Sequence, residues 1–410
     1  MQKHEYVDPI RLYSVIRDKN SPFILESAEK SGNARYTYIS FDPLYTVEID
    51  DKLKVDGEFV SKTRDPFEAL KSIHVQGMLV GYIAYDAVLG FIGKRVEEKS
   101  VFNCYDSYFV YDHFLGKLFS KNVENAEKIV EKARREEIKV EDGGASVLRY
   151  EDKDYFERIV EKGKEYIEEG EVYQIVLSRE YEVRSDFDPF GIYLRLRQLN
   201  PGPYMFLLEF EKSLIGSSPE TMGKIEGGIF KINPIAGTAK RVIGKEEETI
   251  KMLLNDEKER AEHVMLVDLA RNDVRRVCRS GSVRVTRFME AVVYPSVIHI
   301  ESEVIGELKP NLTHFDAMRS AFPAGTVTGA PKRRAVELID ELERTRRRIY
   351  GGAVGYFSEN SDMAIAIRMV EYDGKCRIRA GAGIVADSNP EKEFYETEIK
   401  ISRILKAVGL

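Results

Sequence analysis

Two stretches of this chain, 213–235 and 351–385, read as strand pairs closed by glycine-containing turns, Gly227-Gly228 in the first and Asp373-Gly374 in the second. Such turns join antiparallel neighbours and commit these regions to antiparallel sheet. Helical periodicity falls in separate blocks near 246–275, 313–321, 331–344 and 391–407. Hairpins and helices in separate blocks imply an α+β fold rather than a doubly wound βαβ sheet. Tyr155, Ile159, Tyr166 and Ile167 mark a further helix that stops at Gly170, and 172–183 reads as a strand apolar on both faces. The first 120 or so residues read as short strands with turns between them. A charged helical stretch through Val123, Ala126, Val130 and Ala133 follows, and Glu141-Asp142-Gly143-Gly144 closes it. This places a boundary near 145, with a sheet-rich part over 1–145 and a second part over 146–410, the two expected to share one intertwined core. One internal echo stands out: Gly77-Met78-Leu79-Val80-Gly81-Tyr82 resembles Gly351-Gly352-Ala353-Val354-Gly355-Tyr356, as two equivalent core strands would.

Composition narrows the function classes. The chain has 410 residues and a formal net charge of −7, an acidic balance that speaks against nucleic acid or anionic membrane as a general partner. No apolar run is long enough to span a bilayer and the N-terminus lacks a secretion-signal pattern, so a cytoplasmic location is expected. Cys104, Cys278 and Cys376 lie far apart, which excludes a disulfide framework or a cysteine-based metal site.

Several segments can carry chemistry. Glu259 and Glu262 lie three apart on one helix, and Glu393, Glu396 and Lys400 form a stripe at spacings of three and four on the last helix, after a glycine-rich turn at Gly381-Ala382-Gly383. An isolated pair of this kind is ordinarily a solvated helix face. Two such faces, each beside an apolar segment that must be buried, suggest carboxylates meeting across a cleft with a cation between them, and hard oxygen ligands suit Mg²⁺. Gly381 to Ala386 matches GxGxxA but does not open a helix directly, so it is no dinucleotide fingerprint. The small-residue loop from Phe322 to Lys332 is rich in glycine and threonine beyond what a turn needs. The run Arg344-Thr345-Arg346-Arg347-Arg348 reads as a solvated helix end.

Read together, these segments resemble the chorismate-utilising enzymes, most closely the large synthase subunit (component I) of the anthranilate synthases. The motifs that carry the resemblance are Asn200 to Phe206, Gly216 to Glu220, Pro234 to Thr238, Glu262 to Asp273, Phe322 to Lys332 and Gly381 to Lys400, with Ile24-Leu25-Glu26-Ser27 in the N-terminal part. The resemblance implies two large, mainly antiparallel sheets packed face to face with helices outside. It implies Glu262 and Glu396 as Mg²⁺ ligands, with Glu259 and Glu393 holding metal-bound waters. Arg368, Tyr350, Thr326, Gly381, Gly383 and Lys400 would bind the carboxylates of chorismate, Thr238 would lie near the ring, and Glu220 would be the acid that protonates the departing hydroxyl. His299 would stand close to the ring, as proton carrier or electrostatic support. Leu25, Glu26, Ser27, Pro203, Tyr204 and Met205 would form an inhibitory L-tryptophan site.

Two positions discriminate within the family. Relatives that add water at C2 carry a lysine where this chain has Gln174, and relatives that aminate at C4 carry one where it has Ala236. The implied activity is therefore Mg²⁺-dependent conversion of chorismate and ammonia to anthranilate and pyruvate, the first committed step of tryptophan biosynthesis. Aminodeoxychorismate synthase and a non-catalytic tryptophan-sensing subunit are the alternatives. None of the three cysteines sits in a nucleophile turn, so ammonia from glutamine requires a separate amidotransferase subunit, expected in a heterotetramer of two of each chain. The chain departs from the family pattern at Ala239-Lys240-Arg241-Val242, at Arg348, where glycine is common, and at Gly202, where serine is common.

Overall fold

The strand Met78–Ile83 is buried at every position, and its two faces enter different cores. Met78, Val80 and Tyr82 pack with Phe23, Phe206, Leu208 and Leu214 in a core between two sheets. Leu79 and Ile83 pack with Ala317, Met318 and Phe322 from an outer helix. On the other sheet, Ile24, Met205, Leu207 and Ile215 face Leu12, Tyr13, Ile192 and Tyr193 from outer helices. The layers therefore run helix, sheet, sheet, helix. This explains strands without polar alternation: an antiparallel sheet covered on both sides must be apolar on both sides.

The computed structural model describes residues 1–27, 35–139, 142–294 and 297–410. Each sheet has twelve strands. The first runs from Gln2–His4 through Phe23–Glu26, Tyr204–Glu209, Ser213–Ser218, Met369–Tyr372 and Cys376–Ile384 to Gln174–Ser185 and the edge strand Ala145–Tyr150. The second runs from Ile235–Lys240 through Val297–Glu307, Thr221–Glu226, Ser361–Ile365, Ala353–Phe357 and Met78–Ile83 to Glu58–Lys62. Both sheets draw strands from either side of residue 145, so the two sequence segments are interleaved.

The expected helices form at Glu246–Asn255, Glu257–Val277, His314–Ala321, Lys332–Leu342 and Pro390–Val408. Asp256 caps Glu257–Val277 by accepting from the amides of Lys258 and Glu259, and Asn389 caps the last helix by accepting from the amide of Lys392. One local reading is corrected. Gly381-Ala382-Gly383 is not a turn but the end of the strand Cys376–Ile384, with Gly381 opposite Ser178 and Gly383 opposite Val176. A Cβ at Gly381 would come within 2.8 Å of the Leu177 carbonyl oxygen, so glycine serves close strand approach there.

The sequence echo has a structural counterpart. Met78–Ile83 and Ala353–Phe357 are adjacent antiparallel strands with Gly81 opposite Gly355. A Cβ at Gly81 would lie 2.0 Å from the Val101 carbonyl oxygen, which only a backbone shift in the middle of the sheet could relieve. Gly81→Ala should therefore lower stability by about 2–3 kcal/mol, read from the urea midpoint. A change below about 0.5 kcal/mol would mean that the sheet yields at this point.

Candidate functional site

The chain passes between the sheets at two neighbouring points. Pro219-Glu220 links Ser213–Ser218 of the first sheet to Thr221–Glu226 of the second, and Ala366-Ile367-Arg368 links Ser361–Ile365 of the second to Met369–Tyr372 of the first. The crossovers are tied together: the Ile365 amide donates to the Glu220 carbonyl at 3.0 Å, and the Ser217 amide donates to the Arg368 carbonyl at 3.1 Å. A third segment joins them, with the Gly351 amide donating to the Ala366 carbonyl at 2.8 Å, next to Tyr350. Arg368 adopts a left-handed conformation (φ 52°), a strain of about 1–3 kcal/mol for a side chain other than glycine. A charged residue held in that conformation between two sheets is a candidate for function.

The charges meet here. Burial pushes the Glu220 carboxyl up to about 7, against the opposing influence of the Thr326 hydroxyl, Arg368 and Lys400. Arg368 forms no ion pair among the described residues; burial lowers its pKa, while Tyr350, Glu396 and Glu220 oppose that shift. Lys400 donates to the Gly381 carbonyl at 2.9 Å and to Glu396 at 2.5 Å. Burial raises Tyr350 and lowers His299, whose imidazole is thereby favoured in its neutral form. The ring of His299 meets that of Tyr294 edge-on at 5.5 Å. His299 is paired in register with Thr238, whose side chain lies outside the described residues. A Cβ at Gly383 would lie 2.7 Å from Nε2 of Gln174, so the glycine leaves room for that side chain.

Glu220 and Thr326 border a cleft of about 380 Å³ that is also lined by Asn233, Leu266, Leu269 and Asp273. The Asn233 Nδ2 is buried without a hydrogen-bond partner among the described residues, as a group that meets a ligand would be.

The four predicted metal carboxylates also approach one another. Glu259 and Glu393 sit in the first turns of their helices, where the helix dipole favours negative charge, and Glu262 and Glu396 follow one turn later. Burial is the largest cause of the raised pKa of Glu259, Glu262 and Glu393, and the charge of Glu396 pushes each further up. Gly237, at a bulge in Ile235–Lys240 with φ 61°, brings its backbone against Glu259; a Cβ there would be 3.3 Å from Oε2. Among the described residues no three side chains form a ready-made metal cage. Glu396 instead pairs with Lys400, and Glu262 with Lys258 at 3.8 Å. A set of mutually repelling, oxygen-only donors fits a hard divalent cation.

The predicted inhibitor residues converge elsewhere. Leu25, Glu26, Ser27, Pro203, Tyr204 and Met205 all line one cavity of about 560 Å³, together with Tyr38, Tyr356 and Asp362. The Glu26 carboxylate is taken up by Arg197, with contacts of 2.7–3.1 Å, and by the Tyr193 hydroxyl at 2.7 Å. Gly202 does not line the cavity; a Cβ there would lie 2.6 Å from the Ser217 hydroxyl.

The model of the chorismate binding enzymes matches residues 21–406. The chain belongs to that family. It is 69% identical to anthranilate synthase component 1 of Archaeoglobus fulgidus over the whole of both chains. It is 56% identical to the protein of that name from Thermococcus kodakarensis, covering all of this chain and 99% of the other. The crystal structure of anthranilate synthase component I from Streptococcus pneumoniae superposes with a TM-score of 0.79 at 32% identity, over 92% of this chain and 93% of that one. As a chorismate binding enzyme the chain has the fold of two large antiparallel sheets that the resemblance implied.

Sequence reading missed the residues that hold this candidate site in place. Lys332 donates to Asp273 at 2.6 Å and to the Ala321 carbonyl at 3.0 Å, closing the 322–332 loop on itself and fastening it to Glu257–Val277. The available signal was spacing: Glu262, Leu266, Leu269 and Asp273 share one helix face. The reading of the arginine run as solvated fails at Arg347, which is 3% exposed; Arg344 is exposed as expected, though paired with Glu151 at 3.3 Å, and Arg346 is half-buried beside Asp340. Arg348, where relatives commonly have glycine, takes φ 55° and is held by Glu180 and by Glu371 at 3.4 Å, so ion pairs support a conformation that glycine adopts freely.

The Glu220 environment is directly measurable. Carbon-13 NMR of labelled glutamate should show a carboxyl titrating near pH 7 that disappears in Glu220→Gln. Arg368 lowers this pKa, so Arg368→Met should move the midpoint upward. A downward shift, or no carboxyl titrating above pH 6, would contradict this environment.

Proposed function

We propose that the chain is the synthase component of an anthranilate synthase, which converts chorismate and ammonia to anthranilate, pyruvate and water. The observation that carries the reading is Glu220, a carboxyl that keeps its proton up to about pH 7 beside two cations. Ammonia adds at C2 of the ring while the C4 hydroxyl departs, and hydroxide is a poor leaving group unless it is protonated. Glu220 supplies that proton, and elimination of pyruvate then gives the aromatic ring. Arg368 offers a free guanidinium fork to the enolpyruvyl carboxylate, with Tyr350 beside it. Thr326, Lys400 and the backbone at Gly381 and Gly383 complete the anion pocket, with Thr238 and the neutral His299 near the ring. Gln174 cannot act as the base that activates water, and Ala236 offers no nucleophile for amination at C4, which favours this activity over those of other family members.

Mg²⁺ fits the donor set: Glu262 and Glu396 would hold it, with Glu259 and Glu393 holding its waters, and it would bind the ring carboxylate of the substrate and offset the charge of the cluster. Lys400 would then leave Glu396 and turn to the anion pocket. The nitrogen comes from glutamine through a partner amidotransferase in a cytoplasmic heterotetramer of two of each chain. The cysteines support the need for that partner. All three are buried, and burial raises the Cys278 thiol to about 11 and that of Cys376 to about 12, the opposite of an activated nucleophile.

Purified chain given chorismate, Mg²⁺ and ammonium should form fluorescent anthranilate and should form none with glutamine as the nitrogen source. EDTA should abolish turnover, and Glu396→Gln should do so without loss of fold. At constant free ammonia, kcat/KM should fall as pH rises through about 7. Full activity in EDTA, or glutamine-supported synthesis by the chain alone, overturns the corresponding assignment.

The second cavity supports feedback by L-tryptophan. Its strand Tyr204–Glu209 pairs with Ser213–Ser218, with Tyr204 opposite Ser218, two residues before Glu220. Asp362 and Ala364 belong to the strand that leads into the Arg368 crossover. An indole seated there bears on both crossovers, which gives a physical route for coupling. Calorimetry should show tryptophan binding, and chorismate should weaken it by the same factor by which tryptophan weakens chorismate. Inhibition that persists unchanged in Ser27→Phe would place the inhibitor elsewhere.

A further inference from the structure

We propose that Arg347 and Glu343 form a buried positioning pair that fixes the reactive geometry of the cleft without touching the substrate. The role rests on the synthase reading above and assigns a task to the arginine run that this reading leaves unused. Both side chains are almost fully buried, at 2% and 3% exposure. Arg347 grips Glu343 through Nε at 3.0 Å and Nη2 at 2.6 Å. Two further donors go to backbone carbonyls, Nη1 to Val327 at 2.6 Å and Nη2 to Val176 at 2.7 Å. The guanidinium lies 4.8 Å from the ring centre of Tyr85 and 5.9 Å from that of Tyr350. Glu343 in turn accepts from the Ser178 amide at 2.7 Å, the Ser178 hydroxyl at 2.8 Å and Arg379 at 3.1 Å.

Each gripped segment carries a site residue. Val327 follows Thr326, Val176 lies two residues after Gln174, and Ser178 is paired in register with Gly381. Arg379 precedes Gly381 by two, and Tyr350 follows Arg347 by three. One ion pair therefore sets the mutual positions of Thr326, Gln174, Gly381 and Tyr350, which no single secondary-structure element does. Neither Arg347 nor Glu343 lines the Glu220 cleft; both line a separate cavity with Tyr85 and Asp86. A buried ion pair is a poor source of stability, since apolar replacement of both members is often neutral, so geometry is its more telling contribution. Arg347 makes four hydrogen bonds, two to the carboxylate and one to each carbonyl, one more than the three donors of an ammonium allow.

The test compares wild type with Arg347→Lys and with the double variant Glu343→Gln/Arg347→Met. The double variant leaves no unpaired charge at either site and keeps an acceptor for Ser178, while Arg379 retains Glu180 at 3.6 Å. Anthranilate formation is measured with chorismate, Mg²⁺ and ammonium, alongside thermal unfolding. The expected result is a melting temperature close to wild type with kcat reduced roughly 10- to 100-fold in both variants, the loss that small misplacements of reacting groups produce. The KM for ammonium should stay within about threefold of wild type, because a positioning fault falls on turnover more than on uniform binding. The conservative lysine should not rescue turnover. Wild-type kcat in either folded variant, or failure of both variants to fold, overturns the positioning role in favour of a purely structural pair. An inactive wild type overturns the synthase reading, and this role with it; an active wild type beside fully active variants overturns the pair alone.

Discussion

Two backbone hydrogen bonds, from Ile365 to the Glu220 carbonyl and from Ser217 to the Arg368 carbonyl, fasten together two of the places where the chain crosses between its sheets. The rest of the site depends on this junction. Regular strands satisfy their own backbone and present side chains above and below the sheet, but a crossover turns its side chains into the space between elements. Glu220 and Arg368 stand on the two crossovers, so an acid and a cation are held at fixed separation by the framework itself. The strain at Arg368 is sustained because both flanking strands are locked into different sheets.

Around that junction the charge distribution is uneven. On one side, Glu259, Glu262, Glu393 and Glu396 repel one another; on the other, Arg368 and Lys400 bear on Glu220 without neutralising it by an ion pair. Such an arrangement is costly in itself, since neither set of like charges is offset by a nearby ion of opposite sign in full. Its supports lie outside the cleft. The Lys332–Asp273 pair closes the loop that presents Thr326, and the Arg347–Glu343 pair ties that loop to Gln174–Ser185, the strand next to one edge of the first sheet. Polar groups buried in this way rigidify a geometry when every donor and acceptor is satisfied, and here nearly all are.

Errors in the sequence reading share one cause. Gly381 and Gly383 looked like a turn because glycine in sequence signals backbone freedom; in the fold they make room for the Leu177 carbonyl and for Gln174, neighbours contributed by residues some 200 positions away. The arginines at 344–348 looked solvated because a run of charge is ordinarily a surface. Glu343 and Asp340 are near in sequence, but Glu151, Glu180 and the Val176 and Val327 carbonyls that complete the burial come from segments that nothing local announced. Arg348 shows the reverse: the departure from a common glycine proves to be a left-handed residue held by two carboxylates.

The sequence by itself determined the elements and the chemistry at hand. Hairpin turns and helix periods are local signals, and they placed the helices and the paired strands within a few residues, while the spacing of glutamates on two helices identified faces that must meet something. Family motifs supplied which residues to watch. Only the tertiary structure decided which of those faces meet and what holds them there. The interleaving of both sheets across residue 145, the pairing of the two echo strands, the convergence of the Leu25 and Tyr204 segments on one cavity and the burial of Arg347 all arise from contacts between segments far apart in the chain. The physical reason is that desolvation and charge pairing depend on what surrounds a group in space, and a sequence records only what surrounds it along the chain.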